Sequence, residues 1–422
     1  MEVKIEGREL ALKALIQFEK RGLTLKDSLE VEKGKFPNRE IQKAYDYFYG
    51  SLRMRKRLDY ILEKHLRKYK LVDLPVTIRN ILRQGAYGIL SSRDPDYAVV
   101  NQSVDLAKKY GHKGTASLVN GVLRNLHQVE YPEEPLKYLS IFYSFPEFLV
   151  KKIMNAYGED TERILEASNK VSPTSIRVNR LKTTPAALIE QLKEEGIRVT
   201  KCKESDYNLL TEGNVLYTKS FREGLFQVQG VTQTINTEIL APEKGEIILD
   251  LCSAPGTKST GIAELMGDTG LILSVDIKDL NKVVSNCRRL GIKSVYPIQA
   301  DVRGFNVRSS DRILLDVPCS GSGVMAQRGA LRWRITPDSL KRLKTRQMEL
   351  LNASVRNMKS GGILVYATCS ILPEENEDQI YRFLKENPNF TIEWALEDKP
   401  FFINFPGGWA SDGGFGAIIR RR

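Results

Sequence analysis

Two cysteines stand beside hydroxyl residues where the sequence predicts that strands end. Cys319 lies in DVPCSGSG, and Cys369 lies in ATCS after an apolar stretch. A thiolate is a strong nucleophile for covalent catalysis, whereas a lone cysteine is more often a small buried residue. The neighbouring residues favour a reactive role for Cys319 and Cys369, and a buried role for Cys202 and Cys287.

Two thiols and a carboxylate suit methylation of a carbon that is not itself nucleophilic. C5 of cytosine becomes nucleophilic after a thiolate adds to C6, because the addition makes an enamine that attacks an activated methyl group. Asp316 is predicted to hold the N3/N4 edge of the base and to stabilise the protonated adduct. A base then removes the C5 proton, and the bond to the enzyme breaks by elimination. The residues alone leave open which cysteine attacks C6.

The stretch CSAPGTKST at 252–260 follows a predicted strand and opens a predicted helix. A phosphate-binding P-loop would need glycine where Cys252 and Thr257 stand, so a kinase or ATPase is excluded. The G-x-G-x-x-G pattern of dinucleotide-binding proteins is also missing. The stretch is therefore predicted to bind another ligand.

The remaining features fit a cofactor with a ribose and a carboxylate. They are a tight turn at Pro255-Gly256, a helix N-terminus that can meet an anionic group, and Asp276, 20 residues after Gly256, for a ribose hydroxyl. S-adenosyl-methionine has both groups, and Asp301 is predicted to accept a hydrogen bond from its adenine amine. The alternative is that each aspartate only caps the helix after its strand.

Apolar strands that end on a carboxylate are predicted to position these groups. Strands are predicted at 247–250, 271–276, 296–301, 313–316 and 363–368, with helices at 259–266, 280–290 and 338–358. This alternation is typical of a doubly wound parallel sheet, which binds ligands at the carboxyl ends of its strands. Four aspartates are predicted to lie along that edge: Asp250, Asp276, Asp301 and Asp316.

The rest of the chain predicts a multi-domain protein. Helical spacing of apolar residues predicts an all-α domain at 1–135. Residues 136–222 are predicted to form a helical linker and a small α+β, RRM-like module, and 223–422 an α/β, Rossmann-like domain.

Basic residues exceed acidic ones by 64 to 52, and the pI is near 9.3, so we expect a polyanionic partner. Residues 1–140 carry 26 basic and 18 acidic side chains, two thirds of the net charge of +12. Within them, Arg53, Arg57, Lys64 and Lys68 are predicted to lie along one side of a single helix. This basic stripe is predicted to bind RNA, with a merely solvated helix face as the alternative.

Several classes of protein are excluded. No apolar run approaches the ~20 residues of a membrane span, and the N-terminus has no apolar signal segment, so we expect a cytoplasmic protein. Five cysteines without a C-x-x-C pair predict reduced thiols, and three histidines without i, i+4 spacing predict no metal site. We expect a monomer.

Three motifs in the same order, DLCSAPGTKST, DVPCSGSG and ATCSILPEENE, resemble the Sun/Fmu-type RNA cytosine-C5 methyltransferases. The N-terminal third, with REIQKAYDYFYGSLRMRKRLD, ILRQGAYGIL and LVNGVLRNL, resembles the NusB-like RNA-binding extension of the RsmB subgroup, which acts on 16S ribosomal RNA. The resemblance implies that Cys369 attacks C6 and that Cys319 assists release. It also implies that S-adenosyl-methionine contacts Cys252, Ser253, Ala254, Pro255, Gly256, Thr257, Lys258, Asp276, Asp301 and Asp316.

The chain departs from the family pattern at three places. Ser253 and Thr257 replace residues of the common CAAPGGK motif and leave the turn intact. The acid that usually follows Gln229 is replaced by Gly230. The C-terminal DGFF-like signature reads DGGFG at 412–416.

The motifs specify the chemistry more closely than the RNA. The leading hypothesis is 5-methylcytosine formation in 16S ribosomal RNA. The alternatives are the same reaction on tRNA or 23S ribosomal RNA, and a non-catalytic, antitermination-like RNA-binding factor, against which the intact Cys319 and Cys369 argue.

Overall fold

The structure is a computed structural model that describes residues 6–21, 27, 38–91, 94–127, 129–395, 399–408 and 412–422. The chain forms two compact units, Met1–Lys152 and Ile153–Arg422. Within the described residues, no helix has both the length and the apolar character needed to cross a membrane.

Helices make up the N-terminal part of the chain, as the apolar spacing predicts. Buried apolar side chains between residues 12 and 123 form one core that includes Leu12, Leu58, Leu62 and Ile81, all nearly inaccessible to solvent. The helices are α1 (Glu6–Arg21), α2 (Asn38–Arg53), α3 (Arg55–His65), α4 (Val76–Ser91), α5 (Asp96–Tyr110), α6 (Lys113–Arg124), α7 (Pro135–Phe142), α8 (Glu147–Tyr157) and α9 (Thr161–Ala167).

The first unit extends beyond residue 135 because α7 packs on α3. The guanidinium carbon of Arg57 lies 4.3 Å from the ring centroid of Phe142, and Lys56 Nζ donates to Ser140 Oγ at 2.6 Å. The ring of Tyr131 also contacts that of Phe142. Proline and glutamate at 131–135 thus interrupt the helices without ending the unit.

A four-stranded antiparallel sheet in the second unit corresponds to the predicted α+β module. Its strand order is β2-β3-β1-β4. The strands and helices are β1 (Thr174–Val178), α10 (Pro185–Glu194), β2 (Arg198–Lys201), β3 (Asn208–Glu212), α11 (Lys219–Arg222) and β4 (Phe226–Val228). Apolar side chains from β1, α10 and β4 share its core, including Ile176, Leu188 and Phe226.

The remaining residues form an α/β layer structure around a second, larger sheet. Its elements are α12 (Val231–Glu238), β5 (Ile247–Leu251), α13 (Thr257–Leu265), β6 (Leu271–Asp276), α14 (Asn281–Leu290), β7 (Val295–Gln299), β8 (Ser310–Asp316), α15 (Pro337–Ser354), β9 (Met358–Thr368), α16 (Glu377–Glu386), β10 (Phe390–Glu393), β11 (Phe401–Asn404) and β12 (Gly414–Arg421). The strand order is β10-β12-β9-β8-β5-β6-β7, and β11 pairs with β12. Strands β5 to β9 are parallel, as predicted.

The C-terminal strands make this a mixed sheet, which the sequence did not predict. β12 pairs antiparallel with β9, β10 and β11. β10 and β11 have only four residues each, and β12 begins with a Gly-Phe-Gly stretch, so none shows the longer apolar run that identified the parallel strands. β5 and β8 are neighbours although β6 and β7 lie between them in the sequence, so the chain reverses direction of winding at this point.

Candidate active site

Cys319 and Cys369 lie next to each other at the carboxyl ends of β8 and β9. These strands are parallel neighbours, and Asp316 is in register with Ala367. The two Sγ atoms are 3.0 Å apart, and the Cys369 backbone N–H also donates to Cys319 Sγ at 3.3 Å. Both side chains are partly exposed. The loops after two strand ends therefore bring both thiols to one accessible place.

A buried carboxylate, Glu375, joins the two cysteine loops. Its Oε1 accepts from the Ser320 backbone N–H at 2.8 Å and from Gln347 Nε2 at 3.0 Å. Its Oε2 accepts from the hydroxyls of Ser320 at 2.5 Å and Ser370 at 2.6 Å. Glu375 is fully inaccessible to solvent, and these four donors satisfy its charge. The residue that follows each cysteine is thus fixed to the same group.

The surroundings of Cys319 favour its neutral form. The hydrogen bond with Cys369 raises the pKa of the Cys319 thiol, and its partial burial and the charge of Glu375 raise it further. A thiol with a raised pKa is a hydrogen-bond donor at neutral pH rather than a nucleophile. At 3.0 Å, the Cys319 thiol is within hydrogen-bonding reach of the neighbouring sulfur.

Asp316 connects the thiols to the 252–258 loop. Lys258 Nζ, in the first turn of α13, lies 2.5 Å from Asp316 Oδ2 at the end of β8. The lysine side chain is 9% exposed and the aspartate 29%, so the carboxylate remains reachable from the edge of the sheet. The ion pair joins the predicted cofactor loop to the predicted base-binding acid.

The 252–258 loop folds tightly over the end of β6. Asp276 Oδ2 accepts from the Ala254 backbone N–H at 3.0 Å, and Ser253 Oγ accepts from the Ser274 hydroxyl at 2.8 Å. The Pro255 carbonyl accepts from Asn286 Nδ2 at 3.1 Å. Burial raises the pKa of Cys252 to about 12, so this third cysteine is neutral.

Gly256 is required where the loop enters α13. Its φ is +88°, and a Cβ there would lie 2.8 Å from a methyl carbon of Val283. Among the described residues, no side chain caps the first turn of α13, and Arg177 Nη1 donates to the Thr257 carbonyl at 2.6 Å. A small concave turn, an uncapped helix start and a fixed acid together fit the amino-acid end and the ribose of S-adenosyl-methionine.

Asp301 lies two residues beyond the end of β7 and binds a neighbouring guanidinium. Arg303 Nη2 lies 2.7 Å from Asp301 Oδ2 and Arg303 Nε lies 3.1 Å from Oδ1. Hydrogen bonds from Arg303 lower the pKa of Asp301 to about 2. Its predicted contact with an adenine amine would have to use the lone pairs that Arg303 leaves.

The prediction that Asp250 lies at the ligand edge is wrong. β5 continues through Leu251, and Asp250 is fully buried, where it accepts from the Ser259 hydroxyl at 2.5 Å. Burial raises the pKa of its carboxyl to about 7. Through its hydrogen bond with Ser259, Asp250 stabilises the first turn of α13 from the buried side of that helix.

The two segments that depart from the family pattern lie close together. Gln229 accepts a hydrogen bond from Arg177. The carboxylate of Asp412 lies 3.8 Å from where a Gly230 Cβ would stand, so an acid from the C-terminal segment adjoins the position of the missing one. Burial raises the pKa of Asp412 to about 6. Sequence reasoning missed the buried Glu375, although ILPEENE contains it, and did not place Asp412 of DGGFG beside Gly230.

The prediction of a basic stripe on one helix is wrong in its geometry. α2 ends at Arg53, Met54 is a turn residue, and α3 ends at His65, so Lys68 lies beyond it. Arg53 is partly buried, and burial lowers the pKa of its guanidinium. Arg57 Nε donates to the Tyr131 hydroxyl at 2.9 Å. Of the four bases, Lys64 and Lys68 are the exposed ones.

Potential metal ligands are sparse. Among the residues that the structure describes, no group of three or more histidine, cysteine or acidic side chains could hold a metal ion. His65 and His127, which lack helical spacing in the sequence, do meet, with Nε2 and Nδ1 3.0 Å apart.

Comparison with known proteins gives matches along the chain. The family described as 16S rRNA methyltransferase RsmB/F matches residues 237–401, the NusB family 6–128, and the ferredoxin-like domain of RsmF/B-like methyltransferases 145–215. The crystal structure of PH0851 superposes with a TM-score of 0.82 at 25% identity and covers 100% of both chains.

Two curated relatives are similar over nearly their whole length. A Bacillus subtilis protein named "Probable ribosomal RNA small subunit methyltransferase B" is 34% identical over 414 residues, which are 94% of this chain and 92% of the relative. The ribosomal RNA small subunit methyltransferase B of Salmonella dublin is 33% identical over 98% of both chains. The chain therefore belongs to the RsmB/F family of RNA methyltransferases.

Proposed function

We propose that this protein transfers the methyl group of S-adenosyl-methionine to C5 of a cytosine in small-subunit ribosomal RNA. The pair of thiols carries the proposal, because two Sγ atoms 3.0 Å apart beside the Asp316–Lys258 ion pair suit covalent activation of a pyrimidine. The names of the relatives and the match to the NusB family support ribosomal RNA as the substrate. We infer that the reaction takes place in the cytoplasm, where ribosomal RNA is assembled.

Cys369 is the proposed nucleophile. Its thiolate adds to C6 of the cytosine, so a C6–S bond forms and the electron pair of the C5–C6 double bond moves toward C5 and the ring. Asp316, oriented by Lys258 Nζ, holds the N3/N4 edge and stabilises the protonated ring. The family resemblance assigns the attack to Cys369.

When bound, the cofactor would supply an electrophilic methyl group to the C5 electron pair, with its sulfonium sulfur keeping the electrons of the broken S–CH3 bond and leaving as a neutral thioether. The 252–258 loop and Asp276 are proposed to bind it, because Gly256 leaves a turn that a side chain would fill and Asp276 is fixed by the Ala254 N–H. Lys258 belongs to this loop and contacts Asp316, so the same ion pair aligns the cofactor loop with the cytosine ring.

Cys319 is proposed to assist release. A base removes the C5 proton, the electron pair of that C–H bond restores the C5–C6 double bond, and the C6–S bond breaks to return the Cys369 thiolate. The neutral thiol of Cys319, 3.0 Å away, donates a hydrogen bond to the leaving sulfur. Release is thereby easier than expulsion of an unassisted thiolate.

The test uses the full-length protein with methyl-labelled S-adenosyl-methionine and separate fractions of 16S ribosomal RNA, 23S ribosomal RNA and tRNA. We expect label in the 16S fraction only, and base mapping should find it as 5-methylcytosine. Label in tRNA or 23S ribosomal RNA would support the alternative targets. RNA binding without any methyl transfer would contradict the proposal.

A further inference from the structure

A short segment of the second unit is strongly basic, although the rest of the chain outside residues 1–140 is net acidic. Residues 328–346 include seven basic side chains and one acidic, a net charge of +6 out of +12. The segment directly follows the Cys319 loop and continues into α15.

One side of α15 packs on the thiol site and the other carries the charge. Leu340, Met348 and Leu351 are buried, and Gln347 Nε2 donates to the carbonyl of Pro318, the residue before Cys319, at 3.0 Å. Lys341 and Arg342 lie on the exposed side. The helix therefore presents cations to solvent while its inner side fixes the cysteine loop.

The ends of this basic segment act electrostatically on residues around the candidate active site. Arg328 is close enough to Asp412 to oppose the rise of its pKa that burial causes. Arg346 contributes, after Arg303, to the low pKa of Asp301 and also acts on Cys252. We define the basic face as Arg328, Lys341, Arg342 and Arg346.

The basic face has charge available for a ligand. Within the part of the chain that the structure describes, none of its four side chains forms an ion pair with a carboxylate, whereas neighbouring Lys344 pairs with Glu374 at 3.3 Å. Cations without carboxylate partners attract polyanions. Phosphate groups of RNA are the polyanion that the substrate of this family supplies.

We propose that the basic face binds the phosphate backbone of the RNA strand that flanks the target cytosine. This inference rests on the proposed function for the identity of the RNA. The face lies beside the Cys319 loop, so its phosphate contacts would deliver the strand to the thiols, whereas the exposed lysines of the first unit serve recruitment.

The test compares two triple variants of the full-length protein. Arg328→Gln/Lys341→Gln/Arg342→Gln removes three charges from the basic face. The control, Lys244→Gln/Arg288→Gln/Lys293→Gln, removes three exposed charges near the amino ends of β5 and β7, at the opposite edge of the same sheet. Both keep Arg346, so the cofactor loop is unchanged.

Binding of a 16S ribosomal RNA transcript and of an oligocytidine is measured at several salt concentrations. For the basic-face variant, we expect the slope of log affinity against log salt to become shallower by about 2, since each lost contact to single-stranded RNA removes roughly 0.7. We expect the control to keep the parental slope, and both variants to bind S-adenosyl-methionine with parental affinity.

A parental slope in the basic-face variant, or an equal change in the control, would overturn the proposal. Single Lys341→Gln and Arg342→Gln variants, each expected to change the slope by about 0.7, replace the triple variant should it not fold. Because binding is measured without turnover, failure to find 5-methylcytosine would contradict the proposed function and leave this result unaffected.

Discussion

The sheet edge around the two thiols and the basic stripe of the first unit differ in how firmly their charged side chains are fixed. At the sheet edge, Glu375 receives four hydrogen bonds and Asp316 contacts Lys258 at 2.5 Å. In the stripe, Lys64 and Lys68 extend into solvent. Bond formation needs reacting atoms fixed to within an ångström, whereas attraction of phosphate needs only charge at the surface.

This difference predicts that substitutions at the sheet edge change the reaction steeply and that substitutions in the stripe change affinity gradually. The largest effect is expected for Cys369→Ser, which should abolish methyl transfer. A serine hydroxyl hardly ionises at neutral pH and adds poorly to C6. The loss of methyl transfer is measured as methyl label in RNA collected on a filter. Cys202→Ser, outside the site, should retain parental activity. Substantial transfer by Cys369→Ser would contradict the assigned nucleophile.

Glu375→Gln should have the next largest effect. The amide keeps the size of the side chain but removes its charge, so the two cysteine loops lose charge-assisted bonds that align their thiols. We expect kcat to fall by up to about 100-fold, with the KM for the cofactor little changed. Glu374→Gln, at the neighbouring residue, serves as the control. Parental kcat in a folded Glu375→Gln variant would show that the buried carboxylate does not position the thiols.

Asp276→Ala should weaken S-adenosyl-methionine binding by about 1.5 to 3 kcal/mol, the range for hydrogen bonds to a charged group. The substitution removes both the proposed ribose contact and the acceptor of the Ala254 N–H. Titration calorimetry measures the change. Unchanged affinity would exclude Asp276 from the cofactor site.

The smallest effects are expected in the stripe. Substitutions of its exposed side chains should affect RNA binding, and substitutions of its packed side chains should affect stability. Lys64→Gln/Lys68→Gln should make the salt dependence of RNA binding shallower by about 1 to 1.5. Arg53→Gln/Arg57→Gln should lower the melting temperature, because both guanidiniums are packed, and should add little change in slope. An equal change in slope for both pairs would contradict this division.

Local patterns predicted the parts of the site that lie next to strand ends. Asp316 ends β8, Cys319 follows β8 and Cys369 follows β9. The predicted parallel sheet therefore brought all three to neighbouring strand ends. Glu375 was missed because two of its partners, Ser320 and Gln347, are 55 and 28 residues away in the sequence. That contact depends on how two loops pack, which no spacing within either motif specifies.

Other misses have similar causes. Asp250 fits the pattern of a strand ending on a carboxylate, but β5 extends one residue further and is buried from Ile248 to Leu251, so the side chain of Asp250 is enclosed. The stripe relied on one continuous helix, and the turn at Met54 has no proline or glycine to mark it. The charge of residues 328–346 was present in the sequence and became informative once α15 lay beside the Cys319 loop.

The most direct test of the account is a denaturing gel of protein incubated with cofactor and 16S ribosomal RNA. Cys319→Ser should permit attack and methylation but slow release, so a retarded band of protein joined to methylated RNA should accumulate. Cys369→Ser and the double variant should show no such band, because the first bond cannot form. A band from Cys369→Ser, with none from Cys319→Ser, would contradict the account by reversing the roles of the two thiols.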